Sequence, residues 1–252
     1  MAWGSEGIKE PSEQYAYRGG RSCEQLVAAF ISRAEKAKRR GKQLVCLFLD
    51  FSSAFDRVTK EALIARLAKG SGSMGEARRE EFMTLVRWVD DFLSARRVRA
   101  RYEGALSEWE KIKVGVPQGT ILGPACWKIF LSGLQEQLDG LGIDNLAFAD
   151  DLALLWECDV SAADLDQNAQ DMQRAVAMVE KWPDENNTQL SSDKTKMQVF
   201  GGVAEWGAEG EVPADTPVIR VGGKRVARVK AFKYLGVCGS TSSYISRNKP
   251  KK

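Results

Sequence analysis

With 252 residues, 44% of them apolar and 28% charged, the chain is long enough for one large domain or two small ones and can bury a sizeable core. Its 37 Lys and Arg against 34 Asp and Glu leave a net charge of +3, and the absence of histidine excludes Ser-His-Asp and Cys-His nucleophile systems, H-E-x-x-H zinc sites and imidazole acid-base chemistry. Five scattered cysteines without a C-x-x-C pair, and no apolar run long enough for a signal peptide or a membrane-spanning helix, predict a soluble protein of a reducing, intracellular setting without structural zinc.

In chain order, residues 1–13 form a lead-in without periodicity. Leu26, Val27, Phe30, Ile31 and Ala34 then give an apolar stripe at helical spacing that ends at Gly41. Leu44 to Leu49 is a continuous apolar run and predicts a strand, ending directly in Asp50. A turn through Phe51 to Asp56 leads to a helix over about Thr59–Lys69 and, after a glycine-rich break, a second over Glu76–Ser94. Val98, Ala100 and Tyr102 alternate with arginines as in a half-exposed strand, and Gly104 closes a hairpin. A loop punctuated by glycine and proline, Gly115 to Pro124, opens a helix running toward Leu138. Phe148-Ala149-Asp150-Asp151 sits between two apolar runs and places two carboxylates at a hairpin tip. A helix over Ser161–Trp182 is expected to stop at Pro183, followed by a strand over Lys196–Phe200 and a hairpin at the sheet's rim around Gly222-Gly223. Helices mixed with hairpins, rather than regular βαβ alternation, predict an α+β domain with a largely antiparallel sheet.

Asp50, Asp150 and Asp151 thus fall at the ends of neighbouring strands. Two unit charges of like sign about 4 Å apart repel by about 4 kcal/mol at an effective dielectric near 20, so three converging carboxylates call for cations. Two Mg²⁺ ions, about 3.5–4 Å apart and bound by hard oxygen ligands, meet that need and transfer nucleotides by activating a hydroxyl and gripping a triphosphate. Basic blocks over Arg33–Lys42 and Arg96–Arg101, and ten Lys or Arg without an acid over Arg220–Lys252, fit a polyanionic partner.

Five segments in order resemble the palm of a reverse transcriptase of the non-LTR retrotransposon branch: Leu47-Phe48-Leu49-Asp50-Phe51-Ser52-Ser53-Ala54-Phe55-Asp56, Gly115-Val116-Pro117-Gln118-Gly119 with Leu122-Gly123-Pro124, Phe148-Ala149-Asp150-Asp151, Leu190 to Lys196, and Phe232-Lys233-Tyr234-Leu235-Gly236-Val237. Tyr17 to Ser22 resembles a remnant of the fingers. The resemblance implies an RNA-directed DNA polymerase acting on an RNA template, a DNA primer and dNTP, in the nucleus and away from membranes, with Mg²⁺ as cofactor and Mn²⁺ as a substitute.

It also implies residue roles. Asp50, Asp150 and Asp151 hold metal and Lys194 approaches the leaving pyrophosphate. Phe51, Phe55, Gln118 and Gly119 contact the nucleotide, with Arg18 and Arg21 on the triphosphate. Phe232, Tyr234, Leu235 and Gly236 grip the primer. Phe55 is expected to wall off a ribose 2′-hydroxyl and so favour deoxynucleotides. The expected organisation is a reverse transcriptase domain over 14–237, with partial fingers, a palm and no complete thumb, followed by a basic tail over 238–252. Two other readings stand beside this one: a catalytically inactive nucleic-acid-binding relic of such an element, and an RNA-dependent RNA polymerase.

Overall fold

The structure is a computed structural model that describes residues 13–159, 162–186, 188–200, 218–229, 231–235 and 237–240. The elements are α1 (Cys23–Arg39), β1 (Gln43–Asp50), α2 (Ala54–Arg57), α3 (Lys60–Gly70), α4 (Glu76–Leu93), β2 (Arg97–Val98), β3 (Arg101–Tyr102), β4 (Ala105–Leu106), β5 (Glu110–Lys111), α5 (Leu122–Gly140), β6 (Asp144–Phe148), β7 (Asp151–Cys158), α6 (Ala162–Asn186), β8 (Lys196–Phe200), β9 (Arg220–Val221), β10 (Lys224–Arg225), β11 (Ala227–Arg228), β12 (Ala231–Tyr234) and β13 (Val237–Ser240). Five strands make one sheet in the order β11-β8-β1-β7-β6, antiparallel throughout except for the β11-β8 edge.

The unbroken apolar run of β1 is explained by its central place, because a strand covered on both faces has no polar side. Val45, Leu47 and Leu49 enter a core formed with α3, α4, α5 and α6, whereas Leu44, Cys46 and Phe48 enter a second core under α1. The pleat therefore sorts β1 into two sets, and Asp50, two residues beyond Phe48, belongs to the α1 face. In β7 the same alternation sends Leu152 and Leu154 to the first core and Ala153 and Leu155 to the second, which puts Asp151 on the α1 face as well.

Helix α1 begins at Cys23, earlier than its apolar stripe suggests. Ser22 and Gln25 cap each other, the Ser22 hydroxyl accepting from the Gln25 amide and the Gln25 side chain from that of Ser22. The expected stop at Pro183 is corrected: α6 runs on to Asn186. Trp182 is anchored in the core, and the Asn186 side-chain amide donates to the Trp182 carbonyl at 2.8 Å, so the last turn survives a residue that lacks an N–H. Among the described residues no helix is long and apolar enough to cross a membrane. The lead-in through Ser12 and the tail from Thr241 lie outside the described residues.

Candidate active site

Asp50 is the last residue of β1 and Asp151 the first of β7, and the two are cross-strand partners. Asp150 lies in the two-residue turn between Phe148 and Asp151, which themselves pair. Backbone register thus sets Asp50 opposite Asp151, with Asp150 in the adjoining turn. Among the described residues no three acidic, cysteine or histidine side chains are already gathered as a metal cage.

The turn depends on a non-glycine residue in the left-handed region, Ala149 at φ 57°, a conformation that costs about 1–2 kcal/mol. Two buried side chains hold it. The Ala149 amide donates to Gln14 Oε1 at 3.2 Å, and its carbonyl accepts from Trp127 Nε1 at 2.9 Å. Gln14 is itself fixed by a one-residue parallel bridge that adds the N-terminal segment to the edge of β6, with Tyr15 N donating to Ala147 O and Ala147 N to Glu13 O, both at 2.9 Å. Neither Gln14 nor Trp127 stands out in the sequence, since a long-range clamp leaves no local pattern.

On the other side of β1, Ser52 N donates to Gln189 O and Ser191 N to Asp50 O, and Phe51 bridges Leu190. The turn that follows, pinned by the Thr195 hydroxyl donating to Ser191 O at 2.8 Å, returns Lys194 to the strand end. Lys194 Nζ lies 3.2 Å from Asp50 Oδ1. Its ammonium therefore pairs with Asp50 and acts on the Asp151 carboxyl. The Asp151 carboxyl is pushed up to about 6, first by burial, then by the charges of Asp150 and Asp50, with Lys194 pulling the other way. Such a site has unmet demand for positive charge, and its donors are all hard oxygens, a set that suits Mg²⁺ or Mn²⁺ rather than a soft metal.

The floor on the α1 face is aromatic. Tyr234 is buried with its ring 4.9 Å from that of Phe48, and its hydroxyl is pushed up by burial and by Asp151. The Cys23 thiol, raised by burial, Glu24 and Asp151, reaches Leu235 O at 3.6 Å. Tyr234 and Leu235 of the β12-β13 hairpin therefore lie near Asp151. Phe232 pairs with Gly239 in that hairpin, and Gly236 lies outside the described residues.

The Gly115 loop docks against α2. Gly115 N donates to Val58 O and Val116 N to Phe55 O, both at 2.8 Å. Gln118 is exposed, and its Nε2 donates to Asp56 Oδ1 at 2.9 Å, so Asp56 orients it. Gly119 is exposed at φ 79° with open space around it. Gly115, at φ 86°, is the constrained one, because an added Cβ would stand 2.8 Å from the Asp56 carbonyl oxygen. Gly115→Ala is expected to destabilise the protein by about 2–3 kcal/mol, combining left-handed strain with the displaced backbone, and a thermal melt measures it. Gly119→Ala, without the clash, should cost about 1 kcal/mol.

Phe55 is half-buried with its ring 5.6 Å from Trp127. The expectation for Phe51 is corrected: at 2% exposure it is a core residue, edge-on to Trp127 and Trp182, and its ring has no free face for a nucleotide. Arg18 and Arg21 share a turn just before α1, Arg21 N donating to Arg18 O, and the Arg21 guanidinium lies 4.5 Å over the Tyr15 ring. Arg21 stands two residues before Cys23, whose thiol feels the Asp151 charge.

The family model described as reverse transcriptase (RNA-dependent DNA polymerase) matches residues 8–238. The chain belongs to the reverse transcriptase family. It is 29% identical over 225 residues to a 115 kDa protein of the type-1 retrotransposable element R1DM of Drosophila melanogaster, covering 89% of this chain and 19% of that one. To the RNA-directed DNA polymerase from mobile element jockey of Drosophila funebris it is 25% identical over 234 residues, covering 90% and 23%. This reverse transcriptase segment thus spans about a fifth to a quarter of the length of the curated relatives it matches.

Its fold is similar to part of apo telomerase from Candida tropicalis truncated from the C-terminal domain, with a TM-score of 0.65 at 11% identity over 94% of this chain and 41% of that one. Telomerase from Candida albicans in complex with a fragment of telomeric RNA gives 0.61 at 14% identity, over 94% and 36%. An α+β palm with helices on both faces of an antiparallel sheet is therefore the architecture that carries the acidic strand ends.

Proposed function

We propose that the chain is the reverse transcriptase domain, partial fingers plus palm over residues 14–237, of an RNA-directed DNA polymerase of a non-LTR retrotransposon, extending a DNA primer 3′-end with dNTP on an RNA template. The register pairing of Asp50 with Asp151, with Asp150 in the intervening turn and the Asp151 carboxyl raised by its neighbours, carries this reading. Members of the family work with divalent metal ions. Here Asp50, Asp150 and Asp151 would hold Mg²⁺, with Mn²⁺ as a substitute. Bound there, the ions supply Lewis acidity at the primer hydroxyl and charge neutralisation at the triphosphate.

The protein's own residues do the rest. Register and the Ala149 clamp fix where the carboxylates sit, so little reorganisation is left for the reacting complex. Lys194 holds a proton on Nζ at the rim of the site, 67% exposed and within reach of a leaving pyrophosphate once its hold on Asp50 is released. Gln118, oriented by Asp56, offers an amide to a sugar or base.

Primer extension on poly(rA)·oligo(dT) with Mg²⁺ or Mn²⁺ tests the reading. Incorporation of dTTP over UTP is expected, and a preference for UTP would overturn it in favour of an RNA polymerase. Phe55→Ala is expected to relax the choice between dTTP and UTP by about 10–100-fold in kcat/KM, the effect of opening space for one small group. Equal discrimination by the variant would remove Phe55 from the sugar gate. Primer-template binding without any metal-dependent extension would identify the chain as a binding relic.

A further inference from the structure

Between α4 and the Gly115 loop the chain leaves the body of the molecule as an antiparallel ribbon. Arg97 pairs with Lys111 and Val98 with Glu110, and farther out Arg101 pairs with Leu106 and Tyr102 with Ala105. The tip is Glu103-Gly104, both at positive φ, as a two-residue hairpin turn requires. Ala100 O accepts from Ser107 N at 3.0 Å, so the register slips by one between the two ladders and leaves a β-bulge at Glu108. Every residue from 97 to 114 is exposed, including Tyr102 at 76% and Trp109 at 52%.

Paired residues of an antiparallel ladder share a face and successive residues alternate. Arg97, Arg99, Arg101 and Lys111 therefore fall on one face together with Trp109 and Leu106, and the Arg99 guanidinium does lie 4.5 Å over the Trp109 ring. The ladder carboxylate, Glu110, falls on the other face beside Val98. Among the described residues Arg97, Arg101 and Lys111 enter no salt bridge.

Charge is thus segregated, which a ribbon merely staying soluble does not require. Alternate residues stand about 6.8 Å apart along a strand, the scale of one nucleotide step in an extended chain. The root is stiff: Arg96 donates from its side chain to Leu93 O at 3.0 Å and to Gly115 O at 2.6 Å, and Ile112 N donates to Arg96 O. The ribbon is thereby fixed to the loop that docks on α2.

We propose that this basic face binds single-stranded nucleic acid, the guanidinium and ammonium groups taking backbone phosphates and the free side of the Trp109 indole stacking on a base. The assignment deepens the polymerase reading by naming a strand-holding surface outside the carboxylate site, and it rests on that reading for the presence of a polynucleotide.

The full chain is titrated against fluorescein-labelled single-stranded RNA, single-stranded DNA and a DNA duplex by fluorescence anisotropy, from about 0.05 to 0.2 M salt. Arg97→Ala/Arg101→Ala is expected to weaken binding to both single strands about tenfold, and to lower the slope of log affinity against log salt by about 1.4, at about 0.7 per phosphate contact. Arg97→Lys/Arg101→Lys should restore the slope. Trp109→Ala should weaken single-strand binding about tenfold without altering the slope and leave duplex binding unchanged. All three residues are exposed, so an unchanged melting temperature shows that the fold is retained. Unaltered affinity and slope in the arginine variant, or an equal loss on duplex in the Trp109 variant, would overturn the proposal. If extension is absent and these binding shifts appear, the polymerase reading fails alone; if extension is present and the shifts are absent, the ribbon assignment fails alone.

Discussion

Asp151→Asn should abolish primer extension and at the same time make the protein more stable. A loss of about a thousandfold or more in kcat corresponds to about 4 kcal/mol of transition-state stabilisation, the scale of a lost charge interaction at a metal-assisted centre. The gain in stability follows from the same carboxyl. Its folded value of about 6 lies above the ordinary 3.8, so the native state holds the proton more tightly than the unfolded chain does. The contribution of this group to stability is therefore full below pH about 4 and is lost as pH rises through about 6. A displacement of that size corresponds to about 3 kcal/mol at most, and solvent access around a half-buried side chain leaves about 1–2 kcal/mol. Urea melts of the metal-free protein across that pH window should show a decline in the parent that Asp151→Asn lacks. Asp50→Asn should reduce extension similarly while flattening the decline only in part, because Asp50 is a smaller cause of the shift than burial and Asp150. A variant that extends primers at the parent rate would remove Asp151 from the chemistry. A parent whose stability does not fall with rising pH would show that the Asp151 carboxyl is not raised in the folded protein.

What the sequence made legible about this site is what local patterning can express. The unbroken run from Leu44 to Leu49 could only be a strand covered on both faces, and an aspartate directly after such a run has to sit at a strand end. Two apolar segments separated by Ala149-Asp150 had to form a hairpin. Pairing between β1 and β7 was not written in either strand. It follows from how α1 and the four helices on the opposite face divide the alternate side chains of both, and that division is what sets Asp50 beside Asp151. Phe51 illustrates the limit from the other side. Its position next to Asp50 suggests a nucleotide contact, but the alternation that turns Asp50 to the α1 face turns Phe51 to the opposite one, against Trp127 and Trp182. Gln118 was legible as an exposed amide in a glycine-rich loop, whereas its partner Asp56 was not, because 62 residues separate them.

The largest stability effect is expected at Trp127, which no charge or motif distinguishes. It is fully buried, with ring centroids 5.9, 5.6 and 5.8 Å from Phe51, Phe55 and Phe130, and it also supplies the hydrogen bond that holds the Ala149 carbonyl. Trp127→Ala should cost about 3–5 kcal/mol through the cavity alone, a large share of the about 5–15 kcal/mol that holds an ordinary domain folded. Trp127→Phe separates packing from clamping, since it keeps a ring but removes the donor, leaving a buried carbonyl unpaired at a cost of about 1–3 kcal/mol. The left-handed Ala149 then relies on Gln14 alone. The turn carrying Asp150 should loosen, and kcat should fall with little change in KM for dNTP, because the nucleotide contacts proposed for Gln118 and Arg21 are elsewhere. Gln14→Leu removes the acceptor for the amides of Ala149 and Ala16 and should behave alike. Because both side chains hold one residue, their effects should not add: the double variant should lose less than the sum of the single losses by about 0.5–1 kcal/mol in a denaturant melt. Additive losses would mean that Gln14 and Trp127 support the core separately and that the acidic turn holds its shape without them.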